Sequence, residues 1–127
     1  MKHALSLALV LGLLILGVAC GDYGKPGDGP ATSDSALMAP ASSAGRIDND
    51  EGVGHYKLSH WDVSEGHFRK AIKADPNLAE AHYNLGLALD KMGKHDEATS
   101  EFKKAAELAP ANPAIKDSAI LKKHIAM

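Results

Sequence analysis

The sequence predicts an all-α domain in its second half, and three features of the 127 residues support this. Aromatic residues make up only 5% of the chain, which disfavours a β-sandwich or barrel, whereas Ala and Leu are dense in the second half. Apolar residues recur there at helical spacing, from Leu78 through Leu85 to Met92. The segments that begin at Gly52 and Gly86 also align with each other at a constant offset.

Turn-forming residues divide this half into five predicted helices. Gly93 is expected to end one helix, and Pro76 and Pro110 follow the ends of two others, because the residue before a proline is pushed out of the α region. Asn77 is the expected N-cap of the third helix, with Glu80 completing a capping box. The predicted helices span residues 47–58, 60–74, 78–91, 95–108 and 113–125.

The last predicted helix, 113–125, is expected to cap the array. Pro113 favours its start, since a helix needs no N–H at its first position. Apolar residues are expected to form its buried face and polar residues its solvated face. The apolar set is Ile115, Ala119, Ile120 and Met127, and the polar set is Lys116, Lys122, Lys123 and His124.

Residues 1–19 are predicted to form a signal peptide. A basic start precedes an uncharged, apolar run over residues 4–19, which is shorter than the roughly 20 apolar residues of a membrane-spanning helix. Cys20, the single cysteine, follows this run directly. The sequence around it resembles the lipobox of bacterial lipoproteins, in which this cysteine is acylated and the peptide is cleaved before it. An uncleaved anchor and an ordinary signal peptide are the alternatives.

The lipobox resemblance implies where the protein is located. It implies attachment to a membrane of the bacterial cell envelope through the lipid on Cys20. Aspartate directly after the cysteine favours retention at the inner membrane in that family, and Gly21 stands there instead. We therefore expect the outer membrane, facing the periplasm, rather than the inner membrane.

Residues 20–45 are predicted to form a flexible tether between Cys20 and a folded domain over residues 46–127. Gly, Pro, Ser, Ala and Asp dominate the tether, and it shows no helical or strand period. A chain of this length spans roughly 25–30 Å. As an alternative, Leu37 and Met38 form a short docking motif, although isolated apolar residues in a polar stretch are usually solvated.

The offset between the two aligned segments resembles the period of the tetratricopeptide repeat. The second repeat carries the family pattern at Leu85-Gly86, Ala98, Phe102, Ala105 and Pro110. The first repeat matches in part, and has Ser64 where the second has Ala98. The resemblance implies about two helix-turn-helix repeats followed by the capping helix. Because about three repeats are usually needed for stability, helix 47–58, which contains two glycines, is predicted to be the weakest element.

Charge and motifs disfavour several classes of protein. The formal net charge is −2 and no basic stripe is visible, so nucleic-acid binding is not expected. A single cysteine excludes a disulfide framework and a cysteine-rich zinc site. The sequence contains no nucleophile elbow, phosphate loop or dinucleotide fingerprint. We therefore expect no enzyme activity, no catalytic residues and no cofactor.

Seven histidines raise the question of metal binding. No two of them are four residues apart and no His-Glu-x-x-His motif occurs, so no metal site is predicted. His55, His82 and His95 stand where the repeat family usually has large side chains, and are expected to pack at helix contacts.

The repeat resemblance also implies a concave groove lined by the first helix of each pair. The implied partner-binding positions are Asn49, Val53, Tyr56, Glu80, Tyr83, Asn84, Leu87 and Asp90. A clamp for a peptide carboxylate is not expected in this groove. Glu80 and Asp90 make it acidic, and its basic residues, Lys57 and Lys91, are at the edge. As an alternative, Tyr83 and Leu87 simply pack between the repeats.

These features together predict a non-catalytic adaptor for protein–protein interaction, anchored to an envelope membrane by lipid. Its partner is expected to be a protein or peptide, with a peptide segment or helix that carries apolar and basic residues, and the sequence does not identify it. One alternative is a structural lipoprotein that self-associates into a homo-oligomer. A second alternative is a histidine-based protein that handles metal ions.

Overall fold

The computed structural model describes residues 35–126, and the regular secondary structure of these residues is entirely α-helical, as predicted. Residues 1–34, which include the predicted signal peptide and Cys20, lie outside the described residues, as does Met127. Within the described range, no helix has the length and apolarity that crossing a membrane requires. The helices are α1 (Arg46–Lys57), α2 (Trp61–Ala74), α3 (Ala79–Lys91), α4 (His95–Leu108), α5 (Pro113–Lys116) and α6 (Ala119–Ile125).

The helices form two packed pairs and a C-terminal cap. Helix α1 packs on α2 and α3 packs on α4, while α2 contacts α3 and so joins the pairs. Helix α6 packs on α4. Gly93, after α3, has a φ of 76°, which confirms its predicted role in ending that helix. The predicted N-cap at Asn77 is wrong: Leu78 holds that position, and the Asn77 N–H donates to Asp75 Oδ1 at 3.2 Å.

The predicted capping helix over residues 113–125 is two helices, with a break between α5 and α6. Asn112 caps α5, because its Oδ1 accepts from the Ala114 N–H at 3.0 Å. At the break, Ser118 Oγ accepts from the Leu121 N–H at 3.3 Å and from the Tyr83 hydroxyl at 2.9 Å. This N-cap starts a new helix because it satisfies a terminal N–H.

The break also changes which side of the cap is buried. Leu121 is 1% exposed and His124 is 2% exposed, so the prediction of a solvated His124 is wrong. Ala119, predicted to be buried, is exposed. Ile115 is buried as predicted. The restarted helix places residues three apart, Leu121 and His124, toward the domain, since they lie on one helical face.

One contact between a glycine and a phenylalanine closes each helix pair. A Cβ atom built on Gly52 would lie 2.5 Å from Cε1 of Phe68, and one built on Gly86 would lie 2.8 Å from Cδ1 of Phe102. Both phenylalanines are fully buried. One repeat period separates the two contacts, so the sequence period corresponds to a repeated packing unit.

We expect Gly52→Ala and Gly54→Ala, two residues apart in α1, to change stability in opposite directions. A Cβ on Gly52 would overlap the Phe68 ring, so this change should lower the free energy of unfolding by about 1–3 kcal/mol. A Cβ on Gly54 would meet nothing within 4 Å, so alanine there should add about 0.5–1 kcal/mol through helix propensity. Urea unfolding of both variants measures this. Equal midpoints would contradict the close approach at Gly52.

The part of the predicted tether that the structure describes, residues 35–45, lies against the helices. Ser43 Oγ donates to Asp75 Oδ2 at 2.7 Å. Gly45 lies so close to α2 that a Cβ there would be 2.5 Å from the Ala71 carbonyl oxygen. The prediction that the flexible tether extends to residue 45 therefore does not hold for residues 35–45. The contacts that hold the start of this stretch define the candidate site.

Candidate functional site

Two buried asparagines from different helices form the centre of the site. Asn49 lies on α1 and Asn84 on α3, and both side chains are 0% exposed. Asn84 Nδ2 donates to Asn49 Oδ1 at 2.8 Å. This bond links the two repeats and fixes the direction of both amide groups, which leaves their remaining donors and acceptors pointing at a neighbouring segment.

That neighbouring segment is residues 35–40, which we call the docked segment. The Leu37 N–H donates to Asn84 Oδ1 at 2.7 Å, and the Leu37 carbonyl oxygen accepts from Asn84 Nδ2 at 2.7 Å. The same carbonyl accepts from Asn49 Nδ2 at 2.9 Å. Two residues further on, the Ala39 N–H donates to Asp50 Oδ1 at 3.0 Å. Side chains of the repeats thus bind the peptide groups of an extended strand.

Apolar side chains form the floor beneath the docked segment. Ala36 and Leu37 pack against the buried cluster of the domain, whereas Met38 is 58% exposed. Ala39 is half-buried again and packs against the domain, so Leu37 and Ala39 face the helices while Met38 between them faces solvent. We call the surface beneath it the α1–α3 groove. Its residues are Asn49, Asp50 and Asn84, which bind the segment, and Val53, Tyr56 and Leu87, which lie one or two turns further along the same faces of α1 and α3.

A cavity continues the groove at the Ser35 end of the docked segment. Its volume is about 330 Å³, and Lys57 and Lys91 are among the residues that line it. Tyr56 and Trp61 also line it, with ring centroids 4.8 Å apart and the rings edge to face. The cavity therefore combines an aromatic wall with two cationic side chains.

Five of the eight predicted groove positions lie in the α1–α3 groove, and three lie elsewhere. Asn49, Val53, Tyr56, Asn84 and Leu87 belong to the groove. Tyr83 is 1% exposed, donates to Ser118 and packs 5.7 Å from the Phe102 ring centroid, so its prediction as a groove residue is wrong. Glu80 accepts from Asn112 Nδ2 at 3.4 Å. Asp90 accepts from His124 Nε2 at 2.9 Å, so these positions bind the C-terminal cap.

Asp50 is a groove residue that the sequence analysis did not predict. It precedes Asn84 by one repeat period, so the two occupy equivalent positions in the two repeats. They also make equivalent contacts, since each accepts a hydrogen bond from a backbone N–H of the docked segment. Carrying Asn84 back by one repeat period is the signal that would have identified Asp50.

Histidines and carboxylates form two groups in the described part of the chain that could offer a metal ion three ligands each. The groups are Asp90, His95 and His124, and Asp48, Glu51 and His67. In the first, Asp90 Oδ1 accepts from His95 Nδ1 at 3.0 Å as well as from His124. Burial would raise the pKa of Asp90, but these two hydrogen bonds outweigh it and hold the pKa below its ordinary value.

The prediction that the histidines pack at helix contacts holds in part. His82 is 7% exposed and His55 stacks on His67 with ring centroids 5.3 Å apart. The side chain of His95 is 62% exposed, so the prediction is wrong there. His82 Nε2 donates to the Pro76 carbonyl at 3.0 Å and His82 Nδ1 to Glu101 Oε2 at 2.6 Å. Since both ring nitrogens face acceptors, the imidazolium satisfies both bonds.

We expect the stability of the domain to fall with rising pH through His82. Burial alone would lower the pKa of His82, but the bonds to Glu101 and Pro76 outweigh burial and raise it above its ordinary 6.5. A raised pKa stabilises the fold fully below pH 6.5, and the contribution is lost as the pH rises through the folded value. Urea unfolding of wild type and Glu101→Gln between about pH 5 and about pH 8 measures this. The variant should show the smaller decline, and parallel curves would contradict the ion pair.

These features define a class of protein: a short α-helical repeat array with a groove that holds an extended peptide strand. A family model of the tetratricopeptide repeat matches residues 49–113, just over half of the chain. The chain therefore belongs to the tetratricopeptide repeat family. Repeats of this family support a role in protein–protein interaction.

Similar curated proteins match over the same repeats. Anaphase-promoting complex subunit 3 of Schizosaccharomyces pombe is 36% identical over 62 residues, which is 49% of this chain and 9% of that protein. Protein O-mannosyl-transferase Tmtc2 of Drosophila melanogaster is 35% identical over 46% of this chain and 6% of its own length. Protein bimA of Emericella nidulans is 44% identical over 35% of this chain and 6% of its own length. The chain thus spans less than a tenth of each.

Proposed function

We propose that this protein is a non-catalytic adaptor that binds an extended segment of a partner protein in the α1–α3 groove. The observation that carries this is the double contact of Asn49 and Asn84 with the Leu37 backbone. Contacts to peptide groups suit any extended chain, while an apolar floor selects the side chains. Membership of the repeat family supports the same role. Two relatives are named O-mannosyl-transferases, but the matches cover only 6% and 10% of those proteins.

The adaptor is anchored to a bacterial envelope membrane through a lipid on Cys20. The apolar run of residues 4–19 and the position of Cys20 directly after it support this. More than one acyl chain makes such an anchor stable, since a single chain binds membranes only marginally. Gly21 favours the outer membrane, facing the periplasm.

We expect Cys20→Ser to abolish incorporation of labelled palmitate, and Cys20→Ser that also lacks the apolar run of residues 4–19 to move from the membrane fraction to the soluble fraction. The hydroxyl of serine cannot carry the thioether-linked lipid of the family. Met38→Ser, which changes an exposed side chain, is the control and should keep both properties. A Cys20→Ser protein without residues 4–19 that still sediments with membranes after a salt wash would contradict lipid anchoring.

Crosslinking in cells tests the adaptor function. Leu87 is fully buried, so a photo-crosslinking residue belongs at Lys91, which is exposed and lines the cavity. The control position is Lys103, exposed on α4. One dominant protein captured at Lys91 and absent at Lys103 would support the proposal. Capture of the protein by itself would favour the homo-oligomer, and capture of nothing would contradict the adaptor.

A further inference from the structure

We propose that the docked segment, residues 35–40, is an internal ligand that occupies the partner site and that a partner segment displaces. This inference rests on the proposed adaptor function and names the chemistry of the partner. The partner segment is an extended strand with a leucine next to a small residue and an acidic residue on its N-terminal side.

The contacts of the docked segment are those of a bound peptide. Leu37 and Asn84 are 47 residues apart in sequence, so no local turn dictates their pairing. The groove binds the N–H and the carbonyl of Leu37 through side chains, and the N–H of Ala39 through Asp50. None of these contacts depends on the docked segment being part of the same chain. A partner strand with the same backbone geometry would form all of them.

The docked segment can leave without dismantling the helices. It contributes no regular secondary structure, and Met38, at its centre, is 58% exposed. Residues that follow it stay attached independently, because Ser43 binds Asp75 and Gly45 lies against Ala71. A segment held by a few side-chain bonds and three partly buried apolar side chains, Ala36, Leu37 and Ala39, belongs to the low-stability part of a fold, which opens locally.

The groove specifies the side chains of the displacing strand. Leu37 packs against the buried cluster, so its position takes an apolar residue, and Ala36, which also packs there, indicates a small apolar residue before it. Lys57 and Lys91 line the adjoining cavity, and they are one repeat period apart, at equivalent positions of the two repeats. This repeated pair of cations at the N-terminal end of the docked segment favours an acidic residue there. The sequence favours basic residues because of Glu80 and Asp90, but these two bind the C-terminal cap.

The link to the same chain gives the docked segment an advantage over any free peptide. A segment on a short connection has an effective concentration of about 1 mM. A free peptide of the same sequence therefore binds wild-type protein weakly, and releasing the docked segment should improve its affinity about tenfold or more.

Fluorescence anisotropy with a labelled peptide of the sequence of residues 33–42, SDSALMAPAS, tests this on the full-length protein. We compare wild type, Leu37→Asp and Met38→Asp. Leu37→Asp places a charge against the buried cluster and should release the docked segment, raising the affinity for the peptide about tenfold. Met38→Asp, one residue away but exposed, should bind like wild type.

Two further measurements complete the test. Adding Asn84→Ala to Leu37→Asp should weaken binding about 5- to 150-fold, because the peptide backbone loses its two hydrogen bonds to Asn84. Replacing the aspartate of the peptide by alanine should weaken binding about two- to fivefold. Equal affinities of Leu37→Asp and Met38→Asp, each with the thermal unfolding curve of a folded protein, would overturn the proposal. Mass measurements that show a dimer only when Leu37 is present would also overturn it, since a second copy would then be the occupant.

The two proposals fail separately. Peptide binding that appears on release of the docked segment supports the internal ligand whether or not crosslinking at Lys91 captures a protein. Capture of a partner at Lys91, together with equal affinities in the peptide assay, would leave the adaptor intact and overturn the internal ligand.

Discussion

Phe102→Ala should lower the free energy of unfolding by about 3–5 kcal/mol, the usual cost of truncating a buried phenylalanine. The Phe102 ring is fully buried and fills the space above Gly86, where a Cβ would come within 2.8 Å of it. Its centroid is also 5.7 Å from that of Tyr83 and 5.0 Å from that of His124. One side chain thus joins α3, α4 and α6, and its truncation to alanine would leave a cavity between the three helices.

Thermal unfolding of the full-length protein measures this effect. For a domain of this size, about 1 kcal/mol corresponds to roughly 4–8 °C, so Phe102→Ala should melt more than about 10 °C below wild type. Ser100→Ala, an exposed change on the same helix, is the matched control and should stay within about 0.5 kcal/mol. A Phe102→Ala protein that melts within a few degrees of wild type would contradict the packing of α6 on α4.

The fold could be predicted because its determinants are local or periodic. Gly93 and the two prolines that follow α2 and α4 fix helix ends through backbone geometry alone. The repeat of Gly52 and Phe68 at Gly86 and Phe102 reveals the paired helices, since a small residue opposite a ring is a packing requirement visible in the sequence. The observed α1 to α4 begin and end within one residue of the predicted ranges.

The errors arise where contacts join residues distant in sequence. Ser118 breaks the last predicted helix because its hydroxyl caps α6 and also accepts a hydrogen bond from Tyr83. Tyr83 is 35 residues away in sequence, so the pattern around residue 118 does not reveal this bond. For the same reason the docked segment is predicted only as an alternative, a docking motif at Leu37 and Met38, of which Leu37 packs against the domain and Met38 is exposed. The composition of the docked segment is that of a linker. Its order comes from side chains of α1 and α3 that bind its backbone, and because every residue has the same backbone groups, such binding leaves no pattern in the sequence of the segment.

The contribution of Asn84 to the groove gives the second large effect. Asn84→Ala removes three hydrogen bonds, two to Leu37 and one to Asn49, and would leave buried polar groups without partners. Each such group costs about 1–3 kcal/mol when it stays buried. The docked segment can instead leave the groove, and water then hydrates its backbone. The stability lost in Asn84→Ala is therefore limited to about the free energy of docking. We therefore expect a loss of about 1–3 kcal/mol that is confined to residues 35–40.

Amide hydrogen exchange separates this local loss from global destabilisation. The amides of Leu37 and Ala39, which donate to Asn84 and Asp50, should exchange about 5- to 150-fold faster in Asn84→Ala than in wild type. Amides in the middle of α4, around Phe102, should change far less. Asn77→Ala, an exposed asparagine in the preceding loop, is the matched control and should leave both sets unchanged. If the Leu37 amide exchanges as slowly in Asn84→Ala as in wild type, the hydrogen bonds between Asn84 and the Leu37 backbone contribute nothing to docking. That result would contradict a groove that holds the docked segment through its backbone.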